Sequence, residues 1–413
     1  MSTATPVPAP EDTVPGETPE PSRWHTMFQE IVRSSWLVTT LSVVLAVLVG
    51  SVLIVATDPE VQASTDVGSW FGAVWQAISG AYGALFQGAI YDFRRPDFAS
   101  GIRPLTQTLV FATPLIAAAL GIAIGFRVGL FNIGGRGQML IGAAFGGFAG
   151  FQWDLPPIIH IIVAVGMAIL GGALWGGIAG FLKARTGAHE VIVTIMLNYV
   201  GLYLVAFLLT TPVLQAPGTI NPKTPPMSET AILPPLLGDG YRLHWGFILV
   251  VASTFFAWWL IERSGIGFRF RAVGLNPAAA RTAGINVNRI YLYAMLLAGG
   301  YSGLAVSTEI LGTTTTGFGE GVDSGIGFDA ITVALLGRST PWGTFAAGIL
   351  FGAFKAGGYT MQASQQIPVD IVLVVQSLIV LFLAAPPLIR TIFRLPSPGS
   401  KPSAPKAGTA VSA

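Results

Sequence analysis

The sequence predicts an all-α, polytopic membrane protein of about ten transmembrane helices, and three observations carry that reading. Of its 413 residues, 52% are hydrophobic and only 10% charged, with a mean hydropathy of +0.66; a soluble domain does not stay dispersed on so little charge. Apolar runs of about 17–25 residues, the length a helix needs to cross a bilayer, recur along the chain. The basic residues between these runs gather in alternate connections, as the positive-inside rule requires. Cysteine is absent, which excludes disulfide frameworks, thiolate metal sites and cysteine nucleophiles.

Residues 1–30 are polar and broken by proline, and read as a disordered cytoplasmic tail. The first span is 36–56. Val61-Gln62-Ala63 gives it the look of a cleaved signal peptide, but the polar stretch ahead of it is too long for an n-region, so the span is retained. Segment 57–107 mixes Asp58, Glu60, Asp66, Asp92 and Asp97 with Arg94, Arg95 and Arg103, and is placed outside with Trp70–Tyr91 as an interfacial stretch. Further spans follow at about 108–126, 137–152, 157–182, 189–210, 245–261, 290–311, 326–337, 342–358 and 368–389, within a membrane domain of 31–392. Two of them, 137–152 and 326–337, are short for a crossing. Residues 393–413 form a second disordered cytoplasmic tail. The outer segment 211–243 is rich in proline and reads as a rigid connection or a docking loop.

The stretch 263–289 anchors the orientation. It holds Arg263, Arg269, Arg271, Arg281 and Arg289 and no acid, which marks the cytoplasmic face. By alternation Arg127, Arg136, Lys183, Arg185, Arg338, Arg390 and Arg394 also fall inside, as do both termini. Asn276-Pro277 reads as an N-cap followed by proline at the first helical position, so Ala278–Ala283 forms a short helix ended by Gly284.

Glycines recur at intervals of four in Gly121/Gly125/Gly129, Gly142/Gly146/Gly150, Gly172/Gly176/Gly180, Gly299/Gly303 and Gly348/Gly352, the spacing that lets membrane helices approach closely. Gly176–Ala184 and Gly348–Ala356 are similar segments that end on opposite sides, which predicts an inverted repeat with units near 108–210 and 290–389.

Polar groups at membrane depth are costly and are candidate pathway residues. Asn132, Arg136 and Gln138 sit in a glycine-rich stretch that reads either as a helix interruption lining a cavity or as a cytoplasmic turn. Glu190, Thr194 and Asn198 share one helix face and either line a pathway or bond between helices. Glu309, Glu320 and Asp323 are placed in the solvated outer loop and its flanks, whereas Asp329 starts the short second-half span and corresponds to Asn132. His189 has no ligand partner at metal spacing, so no metal site is expected. No Walker loop, G-x-S-x-G or H-E-x-x-H motif occurs; any ATP chemistry belongs to another polypeptide.

Four segments in order, FRVGLFNIGGRGQMLIGA (126–143), LKARTGAHEVIVTIMLNYV (182–200), FRAVGLNPAAARTAGINV (270–287) and GFDAITVALLGRSTPWG (327–343), resemble permease subunits of ABC importers. The superfamily is that of branched-chain amino acid and simple-sugar permeases, and the nucleoside type is the nearest likeness. That resemblance implies a ten-span permease of the vitamin B12-importer type in a bacterial plasma membrane, translocating nucleosides. It implies no cofactor, an ABC ATPase with two nucleotide-binding modules, a second permease that is a paralogue or identical, an extracellular binding lipoprotein, and no nucleic-acid partner. The pathway candidates are Asn132, Arg136, Gln138, Glu190, Asn198 and Asp329. The ATPase-coupling candidates are Arg271, Asn276, Pro277, Ala280, Arg281 and Gly284. Where the family pattern carries an acid, this chain has Arg136, which reverses a charge near the pathway. A monosaccharide permease, an ion-coupled secondary transporter using Glu190 or Glu309, and a membrane enzyme are the rival readings.

Overall fold

The computed structural model describes residues 35–238 and 240–394, so the two expected tails lie outside it, apart from Phe393 and Arg394. Regular structure among the described residues is helical, with one isolated bridge between Pro235 and His244. The first half comprises α1 (Ser35–Thr57), α2 (Pro59–Ala63), α3 (Val67–Ala89), α4 (Phe98–Gly101), α5 (Arg103–Arg127), α6 (Gly135–Gln152), α7 (Pro157–Thr186) and α8 (Glu190–Leu208). The second comprises α9 (Gly246–Trp258), α10 (Gly265–Leu275), α11 (Pro277–Thr282), α12 (Val287–Thr308), α13 (Ile326–Leu336), α14 (Pro341–Gln365), α15 (Val369–Ala384) and α16 (Pro386–Ile392). Among the described residues, six stretches are long and apolar enough to cross a membrane: Thr40–Thr57, Phe98–Arg127, Pro157–Thr186, Glu190–Leu208, Gly246–Arg263 and Val287–Thr313. The protein is therefore a multi-pass, all-helical membrane protein.

Helix α5 is the centre of the packing. It is apolar on every side, and a helix with no polar stripe is stable only when enclosed; Leu115 to Leu120 and Ile122 to Ile124 are at most 1% exposed. The four-spaced glycines act where they were expected to act. Gly172, Gly176 and Gly180 of α7 lie against Gly299, Gly303 and Met295 of α12, and Gly348 and Gly352 of α14 lie against Ile116, Ala112 and Thr108 of α5. Where Gly172 and Gly176 meet Gly299 and Gly303 there is no Cβ on either side and the backbones meet directly, which is how helices gain dispersion contact in lipid. The pairing is reciprocal: a glycine helix of each expected repeat unit, 108–210 and 290–389, packs on the first helix of the other. The N-termini of α6 and α13 also meet, at Gly135 and Gly327.

Between α12 and α13 the structure corrects the sequence reading. Residues 314–325 are not wholly a solvated outer loop: Glu320 and Gly321 are exposed, but Phe318, Val322 and Asp323 are buried. Phe318 packs on Gly147 in the middle of α6 and its amide donates to Thr224. Asp323 reaches Arg136 at the start of the same helix, with Oδ1 3.3 Å from Nε. Eleven residues of α6 separate those two levels, about 16 Å at the α-helical rise, so the segment re-enters the protein. Arg136 is thus not a lone charge: it is paired with a side chain that is 3% exposed. The physical reason is the length of α13. An 11-residue helix spans about 16 Å, half a bilayer, so the chain must be carried to mid-depth before α13 begins. Irregular backbone at that depth is tolerated because it is enclosed by protein.

Breaking the pair is expected to destabilise the fold. Asp323→Ala leaves Arg136 uncompensated, at a cost of about 2–3 kcal/mol, below the value for a fully buried pair because the Arg136 side chain is 32% exposed. Thermal unfolding in nanodiscs tests this. The double variant with Arg136→Ala should recover part of the loss, and a double variant no better than Asp323→Ala would refute the pairing.

Candidate functional site

Turn chemistry at both ends of α13 builds the site. Ser324 (φ 46°) and Gly325 (φ 77°) turn left-handed into the helix, and α13 opens with no side-chain cap, its first N–H, that of Ile326, donating to the Asp323 carbonyl at 2.8 Å. After Gly337, Arg338 (φ 52°) and Ser339 (φ 51°) reverse the chain. Two consecutive non-glycine residues in that region are strained, and the Arg127 guanidinium holds the turn by donating to the Ser339 carbonyl at 2.8 Å. Thr340 then caps α14, accepting from Gly343 N at 3.2 Å, with Pro341 at its first position.

The N-terminus of α13 opens on a cavity of about 360 Å³, lined by Ser324, Gly325 and Asp329, by Phe351, Phe354, Lys355 and Tyr359 of α14, and by Leu115, Val372, Leu373 and Gln376. That volume lies in the range of small-molecule sites, about 300–1,000 Å³. Asp329 and Lys355 face the same space without forming an ion pair within 4 Å, and neither is paired elsewhere among the described residues. Gln376 is 8% exposed and makes no hydrogen bond there. Lys355 Nζ instead lies 5.7 Å from the centroid of the Phe111 ring.

A second cavity of about 520 Å³ adjoins the first, with Tyr359 in both walls. It carries Arg94, Arg95, Arg103 and Arg242 against a single acid, Asp92, which pairs with Arg95 at 3.1 Å. Its rim is tied to the 209–245 connection by the Tyr241 hydroxyl, which donates to Ala99 O at 2.8 Å. Phe111 stacks on Tyr359 at 5.6 Å, so Phe111, Tyr359 and Lys355 form the wall between a cationic vestibule and the inner cavity.

Of the pathway residues expected from sequence, only Asp329 lines one of these two cavities. Asn132 and Gln138 exchange amide hydrogen bonds at 3.2 Å, Ser302 donates to Gln138 at 3.0 Å, and Asn198 accepts from Gly137 N and donates to Ile133 O. Their polar atoms are spent on one another and on the irregular backbone before α6. Glu190 pairs with Lys183 at 2.8 Å across the Gly187 turn. Lys355, within the repeat segment Gly348–Ala356, and Gln376 are not among the expected pathway residues; the signal available for them is a lysine and an amide inside otherwise apolar helices.

At the opposite end lies the arginine-rich segment. The residue before a proline is pushed out of the α region, so α10 must stop at Asn276. The same Asn276 (φ −157°) caps α11, accepting from Ala278 N at 3.0 Å and Ala279 N at 3.1 Å. Gly284 (φ 82°) ends it. Among the residues of α11 only Ala280 is buried, so Pro277, Ala278, Ala279, Arg281 and Thr282 form an exposed ledge beside Leu275, 88% exposed. Arg271 points away from this ledge, bonding to Ile261 O and lying 3.9 Å from Glu262. Glu262 also meets Arg127 at 3.7 Å, and a side chain on Gly274 would overlap Arg127 O. The ledge is thus braced, through Arg127, to the turn that ends α13.

The family described as "Branched-chain amino acid transport system / permease component" matches residues 105–384. The chain is 36% identical over 320 residues to the guanosine ABC transporter permease protein NupP of Bacillus subtilis, covering 76% of this chain and 88% of that one. It is 33% identical to the glucose ABC transporter permease protein TsgB13 of Haloferax volcanii, over 68% of this chain and 75% of that one. It is 32% identical to the nucleoside ABC transporter permease protein NupB of Lactococcus lactis, over 68% and 79%. No solved structure matches the chain. The chain therefore belongs to the permease components of the branched-chain amino acid transport system family.

Proposed function

We propose that the protein is the membrane permease subunit of an ATP-driven importer that carries nucleosides into the cell. The observation that carries this reading is the juxtaposition of two features on one frame: a ligand-sized cavity at mid-depth and an exposed, capped helix braced to the turn beneath it. The likeness to guanosine and nucleoside permeases favours nucleosides over the glucose carried by a third relative.

In this reading the arginine-rich end is cytoplasmic, α11 is the coupling helix, and its ledge of Pro277, Ala278, Ala279, Arg281 and Thr282 docks on an ATPase with two nucleotide-binding modules. Arg271 serves as an internal brace. A push on α11 reaches Glu262 and Arg127, and Arg127 holds Ser339, so the motion is delivered to α13 and the cavity it opens on. The cationic vestibule faces outside and receives substrate from a binding lipoprotein. Matches to a second guanosine permease in Bacillus subtilis and a second nucleoside permease in Lactococcus lactis support a paralogous permease as partner. The reciprocal packing of α7 on α12 and α14 on α5 supports an inverted repeat within a ten-span, vitamin B12-importer-type frame. Asn132, Arg136, Gln138 and Asn198 hold the break before α6 that this frame needs, and Asp329 faces the substrate.

Uptake of radiolabelled guanosine, uridine and glucose by the complete transporter in proteoliposomes tests this reading. ATP-dependent nucleoside uptake is expected. Uptake that persists without ATP or without the ATPase points to ion-coupled transport instead, and uptake of glucose alone points to a sugar permease.

A further inference from the structure

The inner cavity has a chemistry that discriminates among nucleosides, and the inference drawn from it rests on the nucleoside reading above. Its walls are apolar and aromatic, from Leu115, Phe351, Phe354, Tyr359 and Val372, with three polar groups set among them: the Asp329 carboxylate, the Lys355 ammonium and the Gln376 amide. Opposite charges left apart inside a membrane domain are expensive unless something between them takes up their hydrogen bonds. Gln376 adds an amide that is 8% exposed and unbonded among the described residues. Three polar groups on three helices, with no hydrogen-bond or ion-pair partner among the described residues and only the Phe111 ring beside Lys355, face one aromatic-walled space and amount to a built recognition site.

The complement of such a set is a planar ring whose edge carries donors on one part and acceptors on another. A carboxylate accepts only, and an ammonium donates only. A 6-oxopurine offers the carboxylate a ring N–H, joined in guanine by the adjacent exocyclic N–H, and offers lysine the O6/N7 acceptors that it contacts, while its faces suit Phe351, Phe354 and Tyr359. A hexose has no aromatic face and no edge on which donors and acceptors are segregated, since each hydroxyl is both. Adenine lacks the O6 acceptor and the ring N–H beside it. We infer that Asp329, Lys355 and Gln376 form a base-reading site selective for 6-oxopurine nucleosides, with Asp329 taking the ring and exocyclic N–H groups and Lys355 the O6/N7 side.

Equilibrium binding of tritiated guanosine, inosine and adenosine to the complete permease–ATPase complex in nanodiscs, without any binding protein, tests the site in isolation from delivery. Saturable binding in the order guanosine, inosine, adenosine is expected. Asp329→Asn and Lys355→Gln are each expected to lower the guanosine-to-adenosine affinity ratio by about tenfold or more, the worth of a hydrogen bond to a charged group, and Lys355→Arg to retain most of it. Because the readout is a ratio from one preparation, a lower yield of folded variant cancels. No saturable guanosine binding, equal affinity for adenosine, or a ratio unchanged in both variants overturns the inference. These results leave the nucleoside reading standing if the proteoliposomes still take up guanosine; uptake of glucose alone overturns that reading first.

Discussion

Replacing Gly303 by valine is expected to cripple the folded protein, whereas the same change at Gly300, three residues away on the same helix, is expected to be tolerated. A Cβ on Gly303 would overlap the Ala168 carbonyl oxygen, and one on Gly299 the Gly172 carbonyl. Both obstacles are backbone of α7, which cannot move without separating the two helices. A Cβ on Gly300 meets nothing nearer than Ile169 Cγ2, at 3.5 Å, an ordinary contact. Overpacking costs about 1–3 kcal/mol where side chains can yield and more where they cannot, so Gly303→Val should fall at or beyond the upper end. Yield of monodisperse protein and melting temperature in nanodiscs, compared for Gly299→Val, Gly300→Val and Gly303→Val, would check it. Equal losses at all three positions would show that α7 and α12 do not meet as described.

The second large effect is expected at α11. Exchanging Pro277–Ala279 and Arg281–Ala283 for glycine and serine, with Ala280 kept, should abolish ATP-driven uptake while leaving the melting temperature nearly unchanged. The retained Ala280 is the buried contact of this helix, and the residues exchanged are exposed. Glycine costs about 1 kcal/mol per helical position, enough to melt six residues that hold their form through the Asn276 cap and Pro277. ATPase activity of the complex should lose its response to substrate. Uptake that survives the exchange would remove α11 as the coupling element, and a collapse in melting temperature would show that the helix is part of the membrane frame instead.

Much of the frame is legible in the sequence because it follows from local physics. Asn276-Pro277 specifies both the end of one helix and the start of the next, since a residue before proline leaves the α region and an asparagine side chain satisfies the orphan N–H groups. Four-spaced glycines announce close helix contacts, though not which helices meet. The candidate site was less legible. Asn132, Gln138 and Asn198 have the polarity expected of a pathway, and polarity alone does not distinguish an amide facing a cavity from one bonded to a neighbour 61 residues away. Lys355 had been seen only as part of a repeated glycine motif, and nothing local indicates that it faces Asp329.

What the sequence by itself determined is the all-helical, multi-pass membrane setting, the Asn276 cap and the family, because hydropathy, capping and motif order are properties of contiguous residues. Only the tertiary structure decided that residues 314–325 re-enter the protein to pair Asp323 with Arg136, that α7 packs on α12 and α14 on α5, and that Asp329, Lys355 and Gln376 share one cavity. Each of these joins residues far apart in the chain. Their meeting depends on which helices lie side by side and at what depth each begins, and a half-length helix such as α13 reveals that depth only once its neighbours are in place.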